Sequence, residues 1–294
     1  MLLGLPKFDY VATKTVEEAC SFLAAHPGEA QVLAGGTDLL VKMKHKKMLP
    51  SYLVNIKDIP HLNDICYDEG TGARIGALTT IQAIRRSPLI MKKFPVLSQA
   101  AGVLGTAHVR NLATLGGNLC NASPASECAA PLLILEARAR IVGLKGERTV
   151  PLEAFFLKPG KSVLEQDELL TEIEIPNLPL RMEGVHLKYG TRRVDVAIVG
   201  MSLVLGLDGD TCRDIRIALS SVGPTPFRAR KAEQVLRGQK LGGVVEDLLT
   251  RTAQAAAEES VPINDLRGTA DYRKELVRSL VRQGLECALT KARS

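Results

Sequence analysis

Two pairs of consecutive glycines constrain this chain more than any other feature of its sequence. Gly35-Gly36 occurs in VLAGGTDLL, and Gly116-Gly117 occurs in TLGGNLC. Glycine tolerates positive φ and lets the backbone approach a ligand closely, so successive N–H groups can point into one concavity. Such concavities bind phosphate oxygens. The two pairs therefore predict two segments that close on one diphosphate, although the first pair alone also fits a tight strand-to-helix turn capped by Thr37.

Composition leaves the class of partner open. The chain has 294 residues, 46% of them hydrophobic, which is enough for a substantial core and favours two domains. Its formal net charge is +6, but the basic residues are scattered and only 4% of residues are aromatic. Nucleic-acid binding is therefore disfavoured, although a basic nucleic-acid-binding module remains the alternative from another class. An anionic cofactor or an acidic partner fits the charge as well.

Targeting and metal signals are absent from the sequence. The opening MLLGLPKFDY lacks the features of a signal peptide, and runs such as 197–207 are about half of the ~20 residues that span a bilayer. None of the six cysteines forms a C-x-x-C pair, and the five histidines lack metal-ligand spacing. We therefore expect a cytoplasmic protein with no membrane span and no metal site, and with its histidines on the surface or in loops.

The first part of the chain is predicted to form two α/β units. A β-α-β-α-β unit covers about 1–60, with Thr15 capping its first helix and an exposed lysine-rich helix at 39–48. The second unit has a strand at 73–77, helices at 80–87 and 94–104, and a loop at 105–113 that carries His108 and Arg110. The second glycine pair follows in a loop. A helix from Pro124 to about 136, a hairpin at 138–150 and a strand at 169–175 complete the unit.

The remaining part of the chain has a different pattern. Prolines and a lapse in periodicity place a domain boundary near 177–183. Three strands are predicted at 185–189, 197–207 and 212–219, and three helices at 229–237, 244–258 and 272–290. We expect one domain at 1–177, with lobes at about 1–60 and 61–177, and a second domain at 178–294.

The glycine segments carry a family resemblance. AGGTDLL at 34–40 and TLGGNLCNASPASE at 114–127 resemble the two FAD-binding signatures of the flavoprotein (medium) subunit of molybdenum hydroxylases, a group that includes xanthine dehydrogenase and aerobic carbon monoxide dehydrogenase. DELLTEIEIP, KYGTRRVDVAIV, SVGPTPFRA and DYRKELVRSL are similar to later segments of the same family. The resemblance extends over nearly the whole chain.

The resemblance implies an α+β fold. The first domain would be the two-lobed FAD-binding domain of the vanillyl-alcohol-oxidase (PCMH) type. The second would be the carbon monoxide dehydrogenase flavoprotein-like C-terminal domain, with a three-stranded antiparallel sheet and a helical bundle. The cofactor would be FAD. The sequence has no motif for covalent flavin attachment and lacks the cysteine-bearing insertion that holds an additional iron–sulfur cluster in some relatives, so we expect non-covalent FAD alone.

The resemblance also implies which residues bind FAD. Two segments would wrap its diphosphate and ribityl chain, Leu104 would lie on the isoalloxazine, and Lys188 would be near the flavin. Glu127 stands where the family commonly has aspartate. No catalytic side chain and no metal ligand are implied. The expected FAD-binding residues are Val32, Leu33, Ala34, Gly35, Gly36, Thr37, Asp38, Leu39, Leu104, Thr114, Leu115, Gly116, Gly117, Asn118, Glu127 and Lys188.

The implied function is electron transfer in a larger enzyme. A molybdenum-cofactor large subunit would oxidise the substrate, and an iron–sulfur small subunit would pass electrons to the FAD of this chain. NAD or another acceptor would then receive them, and the assembly would be a dimer of heterotrimers. A stand-alone FAD-dependent oxidoreductase of the same fold is the nearer alternative, and turnover of an organic substrate without partners would distinguish it.

Overall fold

A small parallel sheet begins the structure, a computed structural model that describes residues 4–178, 182–192, 194–243 and 245–293. Its elements are β1 (Asp9–Ala12), α1 (Val16–Ala25), β2 (Ala30–Leu33), α2 (Leu39–Lys44) and β3 (Tyr52–Asn55). Strand β3 lies between β1 and β2 and is parallel to both, which confirms the predicted β-α-β-α-β order. Thr15 caps α1 as predicted, since its hydroxyl accepts a 3.1 Å bond from the N–H of Glu18. Helix α2 is shorter than predicted, because Lys46 takes a positive φ of 55° soon after it ends.

The second unit is an antiparallel sheet with helices packed against it. The elements are β4 (Ile65–Asp68), β5 (Gly72–Gly76), α3 (Ile81–Arg86), α4 (Pro88–Lys93), α5 (Pro95–Val103), α6 (Ala107–Leu112), α7 (Leu115–Cys120), α8 (Ala129–Ile134), β6 (Arg138–Gly143), β7 (Gly146–Pro151), the short 3-10 helix Leu152–Ala154, β8 (Phe156–Lys158), β9 (Lys161–Ser162) and β10 (Leu169–Ile175). Strand β10 lies at the centre of the sheet, in the order β4-β5-β10-β6-β7, and β8 and β9 form a separate two-stranded sheet. The predicted hairpin at 138–150 is confirmed as β6 and β7.

Three predictions about the region around the second glycine pair are wrong. The expected loop at 105–113 contains α6, which is capped by the Thr106 hydroxyl. The second glycine pair lies inside α7 rather than in a loop, because Thr114 caps this helix and accepts from the N–H of Gly117 at 3.1 Å. The following helix does not start at Pro124. It is the shorter α8, which comes after a turn in which Ala122 has a positive φ of 45°.

The third unit is an antiparallel sheet buried on both faces. Its elements are β11 (Glu183–Tyr189), β12 (Val199–Asp208), β13 (Thr211–Ser220), β14 (Phe227–Arg228), α9 (Arg230–Leu236), α10 (Glu246–Glu259) and α11 (Ala270–Ala292). The sheet has four strands in the order β11-β12-β13-β14. The prediction of a three-stranded sheet is therefore wrong by one strand, the short β14. The predicted helix at 244–258 includes Val244, which lies outside the described residues.

Successive side chains of β12 point to opposite faces of this sheet, and one face packs against the second unit. Leu203 and Leu205 pack in a core with α9, α10 and α11, whereas Val204 belongs to the core of the second unit. Helices α5 and α8 cover that second face. The long apolar run at 197–207 is therefore apolar because both of its faces are buried.

Buried arginines hold the two units together by polar contacts. Arg228 and Glu233 form an ion pair of 2.8 Å in which both side chains are 2% exposed. Arg228 also lies 3.4 Å from Glu136, which follows α8. Arg216 of β13 donates to the carbonyl of Ile134, at 3.2 Å. These contacts fix the third unit against α8 and so against the segments that lead to it.

We predict that Arg228→Met lowers the free energy of unfolding by about 3–5 kcal/mol. The substitution leaves the Glu233 carboxylate buried without its cation, and an uncompensated buried charge is strongly destabilising. Denaturant unfolding followed by circular dichroism measures the change.

Arg251→Met is the matched control, from an exposed position of α10. Its pair with Asp247, at 3.6 Å, has side chains 63% and 83% exposed, so its loss should cost less than about 1 kcal/mol. Equal effects of the two substitutions would contradict the importance given to the buried pair.

Candidate functional site

One cavity of about 620 Å³ is lined by both glycine segments. Its walls come from all three units, since Val32, Leu170 and Lys188 are each part of its lining. The first and second glycine pairs, far apart in sequence, therefore face the same space. This arrangement is the one that the sequence predicted for two segments around a single ligand.

The first glycine pair is required by the protein's own packing. A Cβ on Gly35 would overlap the carbonyl oxygen of Leu112, at the end of α6. Gly36 has a positive φ of 73°, and a Cβ there would lie 3.2 Å from a methyl group of Leu33. The pair therefore lets the first segment contact the chain immediately before the second glycine segment.

The two glycines of the second pair have different environments. The Gly116 N–H donates to the Ala77 carbonyl at 2.8 Å, and a Cβ on Gly116 would lie 2.7 Å from the Cβ of Ala77. Gly117 lines the cavity, and a Cβ there would lie 2.9 Å from the Thr114 hydroxyl, with no other atom of the described residues within 4 Å outside the backbone of α7. Gly116 thus fits the helix against the segment that follows β5, whereas the absence of a side chain at Gly117 leaves space in the cavity.

Polar side chains fix the segments around the glycines. Lys42 of α2 donates to the side-chain oxygen of Asn121 at 2.6 Å and so bridges the two glycine segments. The side-chain oxygen of Asn118 accepts from the Ser126 hydroxyl at 2.7 Å and from the Cys128 N–H at 3.2 Å. These bonds place Glu127, which lies between the two donors, at the cavity wall.

A buried ion pair forms part of that wall. Glu127 and Lys188 approach to 2.7 Å, with side chains 8% and 5% exposed. The Lys188 ammonium also donates to the carbonyl of Val103 at 3.1 Å. Burial raises the pKa of the Glu127 carboxyl above its ordinary value, and the adjacent Lys188 opposes this rise.

His186 lies beside this pair and corrects the expectation of a surface or loop histidine. It is buried in β11, and its Nδ1 is 2.8 Å from the hydroxyl of Ser202. Burial, and secondarily the Lys188 charge, lower the pKa of His186 to about 3, so the ring is neutral. Its Nε2 is 3.9 Å from a Glu127 oxygen and has no hydrogen-bond partner in the described part of the chain.

Most of the sixteen residues expected from the sequence line the cavity. The two exceptions are Leu33 and Leu115, whose side chains are buried in hydrophobic cores. The fourteen that line it are Val32, Ala34, Gly35, Gly36, Thr37, Asp38, Leu39, Leu104, Thr114, Gly116, Gly117, Asn118, Glu127 and Lys188.

Sequence reasoning missed other residues at the cavity. His26 lines it and stacks on Phe22, with ring centroids 4.2 Å apart. Lys42 was expected on a solvated face but contributes to the lining. The spacing of four residues could have placed His26, the residue that follows α1, beside Phe22. No local pattern relates Lys42 to Asn121, because their contact depends on the tertiary fold.

Within the described ranges, no group of three or more histidine, cysteine or acidic residues could hold a metal ion. In the same ranges, none of the helices is sufficiently long and apolar to cross a bilayer.

Comparison with known proteins gives matches over both parts of the chain. The family described as "FAD binding domain in molybdopterin dehydrogenase" matches residues 6–178. The family described as "CO dehydrogenase flavoprotein C-terminal domain" matches residues 187–288.

Individual relatives agree with these matches. The carbon monoxide dehydrogenase medium chain of Hydrogenophaga pseudoflava is 33% identical, covering 96% of this chain and 97% of the relative. A putative xanthine dehydrogenase FAD-binding subunit of Escherichia coli (strain K12) is 30% identical, with 96% of each chain covered. A solved structure of the Hydrogenophaga pseudoflava carbon monoxide dehydrogenase, lacking the Mo-pyranopterin moiety, superposes with a TM-score of 0.94 over 98% of this chain and 99% of that one, at 33% identity.

We predict that Lys188→Met destabilises the FAD-free protein by an amount that grows with pH. Lys188 is the group that lowers the Glu127 pKa against the effect of burial, so its loss raises the folded-state pKa further above 4.5. The folded state then binds more protons than the unfolded state, so stability falls as pH rises above 4.5 towards the folded-state pKa. At the top of that range the cost should approach about 3–5 kcal/mol, and denaturant unfolding at a series of pH values measures it.

The double variant Lys188→Met/Glu127→Gln is the control for this prediction. It removes the carboxylate as well, so the pH dependence should disappear and part of the stability should return. A single variant whose destabilisation does not change with pH would contradict the assignment of a buried ion pair.

Proposed function

The chain belongs to the family of FAD-binding medium subunits of carbon monoxide dehydrogenases and xanthine dehydrogenases, and we propose that its FAD occupies the cavity between the two glycine segments and relays electrons between partner subunits and an acceptor. The observation that carries this proposal is that both glycine segments line a single cavity. As a member of this family, the chain is the flavin subunit of an oxidoreductase, with FAD as its cofactor.

The geometry of the cavity fits a dinucleotide. Residues 32–39 and 114–118 supply closely packed backbone on two sides, and the open face of Gly117 leaves room for a ligand there. We assign the diphosphate to these segments. Leu104 supplies an apolar surface and Glu127 and Lys188 supply charge, so we assign the flavin ring to their part of the cavity.

The chemistry at this site is electron exchange. FAD, when bound, supplies the capacity to accept and give up electrons, which no amino-acid side chain here provides. The side chains bind the cofactor, orient its ring and exclude water. Lys188 and Glu127 present an ion pair at the wall, so their charges contribute to the electrostatic environment in which the flavin changes its redox state.

Partners complete the proposed function. The relatives are named medium chains or FAD-binding subunits, which supports a complex with an iron–sulfur small subunit and a molybdenum-cofactor large subunit. We propose a dimer of such heterotrimers in the cytoplasm, with NAD or another oxidant as final acceptor. We also propose that the chain divides into domains at about residue 177, with lobes at about 1–60 and 61–177.

Electron relay can be tested with the purified complex and with the isolated chain. We expect the organic substrate of the complex to bleach the visible absorption of the flavin only when the partner subunits are present. Dithionite should bleach the flavin in both samples, which controls for a flavin that cannot be reduced. Rapid reduction of the isolated chain by the substrate would contradict the relay and favour a stand-alone oxidoreductase.

We predict that Gly117→Val weakens FAD binding by roughly 10- to 100-fold while the protein stays folded. The valine side chain would enter the cavity, and overpacking a well-fitted site typically costs about 1–3 kcal/mol. Among the described residues outside the backbone of α7, the new Cβ would crowd the Thr114 hydroxyl, 2.9 Å away. Fluorescence titration of the FAD-free protein measures the affinity, and circular dichroism measures folding.

Gly102→Val is the matched control, because Gly102 also lies in a short helix and is partly buried. A Cβ there would lie 3.7 Å from the flexible side chain of Arg85, and Gly102 does not line the cavity. FAD affinity should be unchanged. If Gly117→Val binds FAD with unaltered affinity, Gly117 does not provide space for the cofactor and matters only for the backbone of α7.

A further inference from the structure

Arg110 is a buried arginine whose guanidinium contacts the backbone beside the cavity. It is 8% exposed and lies in α6. Its Nη1 donates to the carbonyl of Leu104 at 2.9 Å and to that of Gly105 at 2.8 Å. Its Nε donates to the side-chain oxygen of Gln82, in α3, at 3.2 Å. Arg110 therefore ties the segment between α5 and α6 to a neighbouring helix.

The two carbonyls belong to a turn that forms part of the cavity wall. Leu104 and Gly105 follow the last residue of α5, and both line the cavity. Gly105 has a positive φ of 47°, so the chain reverses sharply here. The carbonyl of the preceding residue, Val103, accepts from Lys188. Three successive carbonyls at the end of α5, those of residues 103–105, thus accept hydrogen bonds from two cations, Arg110 and Lys188.

Arginine suits this position for a geometric reason. The last carbonyls of a helix lack partners inside it and need donors from elsewhere. A planar guanidinium has several donors in fixed directions, so it can hold two adjacent carbonyls and Gln82 at once. A lysine ammonium could bind the carbonyls but could not hold the same three partners in a fixed plane.

We propose that Arg110 is a positioning residue for the bound flavin, which it orients by fixing the Leu104–Gly105 turn against the cavity. Arg110 acts through the turn and does not itself line the cavity. The proposal rests on the assignment of the flavin ring to the part of the cavity walled by Leu104. Loss of the guanidinium frees the turn, so the ring loses a fixed apolar surface while the glycine segments remain in place.

The test compares Arg110→Met and Arg110→Lys with the unaltered chain, each freed of cofactor and titrated with FAD. Two readouts are recorded: the dissociation constant, and the position and fine structure of the visible flavin bands. We expect Arg110→Met to bind FAD roughly tenfold more weakly, since the loss of a hydrogen bond from a charged group typically changes an equilibrium constant by about tenfold or more. Its flavin bands should shift towards those of free FAD. Arg110→Lys should lie between the two, because it restores part of the carbonyl contact.

Arg216→Met is the matched control for loss of a buried arginine. Arg216 is 5% exposed and also donates to a backbone carbonyl, that of Ile134, but neither residue lines the cavity. This variant should lower the melting temperature and leave the FAD affinity and bands unchanged. Gln82→Met is a milder second variant, which removes one partner of Arg110 and should weaken FAD binding a few-fold even if Arg110→Met does not fold.

The outcomes separate this inference from the proposed function. An unaltered chain that does not bind FAD overturns the function itself. An unaltered chain that binds FAD, together with folded Arg110→Met or Gln82→Met variants that keep its affinity and bands, overturns the positioning role alone. Weaker binding and shifted bands in the Arg110 variants, but not in Arg216→Met, support it.

Discussion

The close approach of Gly35 to the carbonyl of Leu112 is the contact on which the site depends. Any side chain at Gly35 would overlap that carbonyl, so the first glycine segment can reach the end of α6 only with glycine there. The chain turns from α6 directly into Thr114 and the second glycine pair. This backbone contact holds two distant segments against each other beside one cavity. The bond from Lys42 to Asn121 also joins the two segments.

Buried charges perform two different tasks in this structure. Arg228 and Glu233 join α9 to the sheet and, through Glu136, to the neighbouring unit. Glu127 and Lys188 instead lie at the cavity wall, next to the proposed flavin. Burying these two charges costs free energy of desolvation, which their mutual attraction only partly offsets. A buried ion pair at a binding site stabilises little by itself, but it fixes the charge that a cofactor meets.

The sequence allowed most elements and most of the cavity to be predicted, for physical reasons that particular residues illustrate. Val204 belongs to the long apolar run at 197–207, whose strand β12 is buried on both faces, and such a run is readable without a structure. The glycine pairs were readable because few residues can replace glycine where backbones meet. Helices α6 and α7 were not predicted, since both are six residues long and their caps, rather than apolar periodicity, define them. His186 was misassigned because its burial comes from strands and helices distant in sequence.

The central claim is that two glycine segments form one site for a dinucleotide flavin, and calorimetric titration of the FAD-free chain tests it most directly. We expect one FAD to bind per chain. FMN, which carries the same ring but lacks the adenylate half and the second phosphate, should bind much more weakly. Equal affinity for FMN and FAD, or a stoichiometry other than one, would contradict the assignment of both glycine segments to a single diphosphate.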